Sequence, residues 1–115
     1  MRTKKIKIPL YHGQLSIVQV ESLSDIEEKY KLSSLKGFEA ITFRNHMGNG
    51  YSRYVLAFEE NTTPEIIAHE ALHLVALIYE DRGMILEIEN DEPQCYLLGW
   101  IVGQCHKFLN VSVKK

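Results

Sequence analysis

The sequence predicts a small α+β domain, with an antiparallel or mixed β-sheet packed against a buried helix near residues 64–80 and a second long helix toward the C-terminal end. Three observations carry this. In the first half of the chain, polar and apolar residues alternate in short runs broken by Gly, Asn and Pro, which is the strand signature. Residues 66–78 are then apolar almost all the way round at helical spacing, as in a helix enclosed by a small protein. A third segment, from Asp91 to about Leu109, opens with helix-start residues and runs on without a breaker. At 115 residues the chain is one domain (1–115), and its net charge of −2 offers no attraction to nucleic acid or to an acidic membrane.

In chain order, residues 4–11 and 14–20 read as two strands joined at His12-Gly13. Pro9 marks the first as an edge strand, and Lys4, Lys5 and Lys7 solvate it. Ser24-Asp25-Ile26-Glu27 has the form of a capping box opening a short helix to about Leu32, with Gly37 at the exit. Phe38 to Asn45 and Tyr51 to Glu59 alternate, with Phe38, Ala40, Thr42 and Tyr54, Leu56, Phe58 as like-facing sets. The turn formers His46-Met47-Gly48-Asn49-Gly50 between them predict a β-hairpin. Thr62-Thr63-Pro64-Glu65 then starts the buried helix, with Thr62 as N-cap, Glu65 completing a capping box and Pro64 in the first turn.

Asp81-Arg82-Gly83 closes that helix, and Met84 to Ile88 reads as a short strand or a buried loop. The last helix begins with Asp91 as N-cap, Pro93 in the first turn and Gln94 completing the cap. Gly99 and Gly103 on it each cost about 1 kcal/mol against Ala, which predicts a close approach to the preceding helix. Cys95 and Cys105 are ten positions apart on the same helix, or about 15 Å along its axis. A disulfide needs Cα atoms within roughly 7 Å, so the two are expected as buried thiols. Tyr11, Phe38, Trp100 and Phe108 are expected in the core. No run reaches the ~18 apolar residues of a membrane span and no signal-peptide core is visible, so a cytoplasmic protein is expected.

The chemistry is concentrated in His69-Glu70-Ala71-Leu72-His73. On a helix, the histidines of H-E-x-x-H sit one turn apart on one face, where two imidazoles can share a zinc ion while the Glu reaches a water on it. His69, Glu70 and His73 fall within an arc of roughly 100° in an otherwise apolar helix. Buried without partners they would cost on the order of 1–3 kcal/mol each, which a metal would relieve. A catalytic zinc takes three protein ligands and an open position. The acidic candidates downstream are Glu80, Asp81, Glu87, Glu89, Asp91 and Glu92; Glu80 lies too far along the same helix to turn back.

From residue 51 to about 105 this order of strand, motif helix, loop and helix resembles the gluzincin metallopeptidases, above all the very short gluzincin-like proteins of phages and mobile elements. The resemblance implies a small zincin-like domain in which His69, His73 and Glu92 bind Zn2+ and Glu70 is the general base. Asp91 and Glu89 are the alternatives to Glu92. The metzincin pattern is excluded, because Ala76 stands where its Gly would be and Tyr79 where its third His would be. Tyr96 departs from the gluzincins, many of which carry at that position an Asp that orients a zinc histidine. The resemblance further implies hydrolysis of a peptide or protein substrate, with the strand from Tyr51 to Glu59 as a sheet edge that pairs with it. Candidates for stabilising the oxyanion are Tyr96, Tyr54, Arg53, His46 and His106. The alternative is a zinc-stabilised regulatory or binding module with little or no turnover, and a third reading leaves the histidines structural.

Overall fold

Alternating side chains need a partner strand on each side, and the chain supplies four strands. A computed structural model describes residues 1–45 and 52–112, so the turn expected at 46–50 lies outside the described residues. Strand β1 (Arg2–Lys7) pairs antiparallel with β2 (Gln14–Val20). The chain reverses between them through Leu10, His12 and Gly13, all at positive φ. Gly13 is required there, since at φ +103 a Cβ would come within 2.8 Å of the Ser52 carbonyl oxygen. Pro9 therefore lies in the reversal rather than in β1.

Strands β3 (Ala40–Arg44) and β4 (Arg53–Glu59) are antiparallel, with Thr42 opposite Leu56 and Arg44 opposite Tyr54. β4 also pairs parallel with β2, giving a mixed sheet of order β1-β2-β4-β3. The expectation that the strand ending at Glu59 is an edge is thereby corrected: β4 is interior, and the edges are β1 and β3. The reason is in its side chains. Residues 54–58 of β4 are all buried, as a strand covered on both faces requires. Leu15, Ile17, Tyr54, Leu56 and Phe58 face the helices, while Val18, Val20, Val55 and Ala57 pack on Leu23, Ile26 and Leu35 beneath the sheet.

That lower layer is not the predicted α-helix. It opens with a single 3-10 turn, Leu23–Ile26, capped by Ser22 rather than Ser24, with Asp25 accepting from the Ser22 amide. The Glu59 carboxylate accepts from the Leu23 amide at 2.8 Å and Lys31 adopts positive φ. The segment is thus pinned to β4 at its start and bent away at its end.

Helix α1 (Pro64–Asp81) is capped by Thr63, whose side chain accepts from the Ile66 amide. Thr62, the expected cap, is buried and bridges to Val111, its carbonyl accepting from the Ser112 amide. With Thr62 committed to the C-terminal segment, the next threonine caps. At the other end the Gly83 amide donates to the Glu80 carbonyl and the Met84 amide to that of Tyr79, a Schellman closure with Gly83 at positive φ. Helix α2 (Glu92–Phe108) presents Leu97, Ile101 and Cys105 to the core. Asp91 makes no side-chain cap bond, and the Gln94 side chain accepts from the Glu87 amide instead.

Four further expectations are corrected. Nothing lies within 4 Å of a Cβ added at Gly99 or Gly103, so neither glycine serves a close helix approach. Cys95 is exposed; Cys105 is buried, its thiol pushed up to about 12 by desolvation. Met84, Ile85, Leu86 and Ile88 are exposed rather than forming a strand or buried loop. Phe38 precedes β3 and is exposed, whereas Tyr11, Trp100 and Phe108 pack partly buried on the core. Among the described residues no helix is long and apolar enough to cross a membrane.

Candidate functional site

Helix α1 buries Ile67, Ala71, Leu74, Val75 and Ile78 in the core formed with the sheet and α2, and that face dictates which side chains look outward. His69 and His73 follow Ile66 and Ala68 onto the open flank, and both are exposed together with Leu72. The helix is therefore not enclosed all round, and the expected burial cost applies to Glu70 alone. The two rings stand edge to face with centroids 4.8 Å apart. Their Nε2 atoms are 3.2 Å apart. Two imidazoles on one tetrahedral zinc, with bonds of about 2.0–2.1 Å, place their nitrogens about 3.3 Å apart, so the pair fits the ion with little adjustment.

Glu70 is turned toward the sheet. Thr42 Oγ1 on β3 donates to Glu70 Oε1 at 2.8 Å and also lies 3.1 Å from the Glu70 carbonyl oxygen. The other carboxylate oxygen, Oε2, is 3.8 Å from His69 Nε2. Among the described residues, His69, Glu70 and His73 form the one group of potential ligands whose atoms converge, all within 4.8 Å of one another. Thr42 was not singled out as a site residue by the sequence. Its signal was a hydroxyl on the core-facing set Ala40 and Thr42, where an apolar side chain would ordinarily stand.

The structure does not bring Glu92 into this group, nor Asp91 or Glu89. Glu92 is exposed in the first turn of α2. The candidates for the oxyanion are also dispersed. Tyr96 is exposed on α2, His106 is exposed in its last turn, Arg53 is half-buried on β4, and His46 lies outside the described residues.

Tyr54 has a different role. Its hydroxyl donates to Asp81 Oδ2 at 2.6 Å, and burial, then this bond, push its pKa up to about 12. Arg44 Nε reaches Asp81 Oδ1 at 2.9 Å and its Nη2 reaches Glu80 at 3.0 Å. Desolvation alone would raise the Asp81 pKa; the bonds from Arg44 and Tyr54 and the Arg44 and Arg82 charges outweigh it and hold the carboxyl below its ordinary value. This network fastens the last turn of α1 to β3 and β4. The chain matches no protein-family model, no curated protein and no solved structure with which it was compared.

Proposed function

We propose that the chain is a zinc-dependent peptide hydrolase in which His69 and His73 hold the metal and Glu70 is the general base. The observation that carries this reading is the pair of imidazole nitrogens 3.2 Å apart on the open flank of α1, beside a carboxylate anchored from the sheet. Zinc bound there would lower the pKa of a water toward about 7 and polarise a substrate carbonyl. With Oε1 held by Thr42, Glu70 has Oε2 left to take a proton from that water and return it to the departing amine. Glu92 is proposed as the third ligand on the gluzincin resemblance, with Asp91 and Glu89 as the alternatives. An extended peptide would pair with the outer edge of β3, the edge strand next to Glu70, rather than with β4.

A second reading has its own observation. Glu70 belongs to the converging group, so its carboxylate can itself be a ligand in a zinc-stabilised binding or regulatory module. Elemental analysis and hydrolysis of a peptide mixture by the wild type, Glu70→Gln and Glu92→Ala separate the readings. The hydrolase reading expects about one zinc per chain, kept by Glu70→Gln while hydrolysis is abolished, and lost from Glu92→Ala. Zinc lost from Glu70→Gln would favour the module. Zinc kept by Glu92→Ala would move the third ligand to Asp91 or Glu89. No zinc in any of them after reconstitution would end both readings.

A further inference from the structure

The run Met84-Ile85-Leu86-Glu87-Ile88 has the composition of a strand but no strand beside it. Its four apolar side chains are exposed, Ile85 at 76% and Ile88 at 94%, which sets a contiguous apolar surface in water. The Met84 amide closes α1 and the Glu87 amide donates to Gln94 Oε1, whereas among the described residues the amides of Leu86 and Ile88 have no hydrogen-bond partner. Alternate backbone groups of an extended segment point opposite ways. With Glu87 turned to its own α2, those of Leu86 and Ile88 face outward.

Across the fold, β1 is a sheet edge with β2 as its one neighbour. The Ile8 amide donates to the Gly13 carbonyl, and the same register sets Ile6 on Leu15 and Lys4 on Ile17. The bonds to β2 therefore fall on the even-numbered residues, and the backbone groups of Thr3, Lys5 and Lys7 point away from the sheet. Among the described residues Lys4, Lys5 and Lys7 take part in no ion pair, and neither do Glu87 and Glu89. Lysines on an edge keep two such edges from pairing with each other. They suit an acidic, apolar strand instead.

We infer that residues 84–88 of one copy add as a fifth strand to the free edge of β1 in a second copy, antiparallel, with Glu87 opposite Lys4 and Ile85 opposite Ile6. This register sets an opposite-charge pair and an apolar pair directly across from each other. It bonds Leu86 and Ile88 to the outward groups of Lys5 and Thr3, and lays Leu86 along the Lys5 stem. Ile6 is half-buried on the core and gains a cover from Ile85. Reciprocal exchange about a two-fold axis closes the assembly at two copies. The opposite edge, β3, stays free, and the pairing does not depend on the hydrolase reading.

Sedimentation equilibrium of the full chain between about 5 and about 500 μM should reach twice the chain mass at the upper end, as a small interface allows, and less of it as salt is raised. Lys4→Glu and Glu87→Lys each set like charges across the pairing and should weaken dimerisation about tenfold or more. An equimolar mixture of the two variants restores both charge pairs and should restore the dimer. Hydrogen exchange should show the Thr3, Lys5 and Lys7 amides gaining protection with concentration while those of β3 do not. A single-chain mass throughout, a dimer indifferent to both substitutions, a mixture no tighter than its components, or protection gained on β3 instead would each overturn the pairing. Thr3, Lys5 and Lys7 protected equally at every concentration in a monomer would show the segment covering its own β1, and would overturn the second copy.

Discussion

Thr42 Oγ1 on β3 donates to Glu70 Oε1 on α1 at 2.8 Å, so an edge strand holds the carboxylate of the helix that carries the histidines. A buried carboxylate with one oxygen anchored has one orientation rather than several, and a proton acceptor gains from that.

Thr42→Val preserves shape and removes the donor. Leaving the Glu70 oxygen unpaired should cost about 1–3 kcal/mol in urea unfolding. On the proposed hydrolase reading, turnover of a cleaved peptide should fall about tenfold at unchanged zinc content, with Thr42→Ser restoring most of it. Unchanged turnover in Thr42→Val would show that the bond serves packing alone.

The pairing of Asp81 with Arg44 and Tyr54 makes stability depend on acid. The Asp81 carboxyl titrates lower in the folded chain than in the unfolded one. Its contribution is therefore fully present above the ordinary carboxylate value of about 4 and is lost as pH falls through the lowered folded value. Asp81→Asn should be less stable than the wild type near neutrality, and the gap should close in acid. Urea unfolding from about pH 7 to about pH 2 reads this directly. A gap that stays constant through the acid range would mean that the Asp81 charge contributes nothing.

Gly99 and Gly103 are helical with open space where a Cβ would stand. Gly99→Ala and Gly103→Ala should each stabilise the chain, by up to about 1 kcal/mol, through higher helix propensity and a less flexible unfolded state. Thermal unfolding gives the sign. Destabilisation by either variant would restore the close helix approach that the spacing first suggested.

Gly13 makes the opposite case. Gly13→Ala must hold φ near +103 and meets the Ser52 carbonyl at 2.8 Å. It should destabilise by more than about 1 kcal/mol, since both strain and crowding act. A variant as stable as the wild type in urea would mean that the reversal between β1 and β2 relaxes without cost.

Several features were determined by the sequence alone, because they depend on neighbours within one or two turns. His69 and His73 meet because residues four apart on a helix share a face. Cys95 and Cys105 cannot join for the same geometric reason. Of the like-facing sets Phe38, Ala40, Thr42 and Tyr54, Leu56, Phe58, the register places Ala40 opposite Phe58 and Thr42 opposite Leu56, while Phe38 falls before β3 and is exposed. The α+β composition followed from these periodicities.

Only the tertiary structure decided which strand pairs with which, and which side of a helix meets water. β4 became interior through its parallel pairing with β2, a contact between segments far apart in the chain. Thr63 rather than Thr62 caps α1 because Thr62 is held by the C-terminal segment. An apolar helix with polar residues on one arc is compatible with burial on every side or with one open flank; the sheet and α2 leave the flank of His69 and His73 open. Thr42 likewise meets Glu70 from a strand that no local pattern links to the helix. Local rules act through backbone periodicity and capping, whereas partners and exposure depend on the packing of elements that only the folded chain brings together.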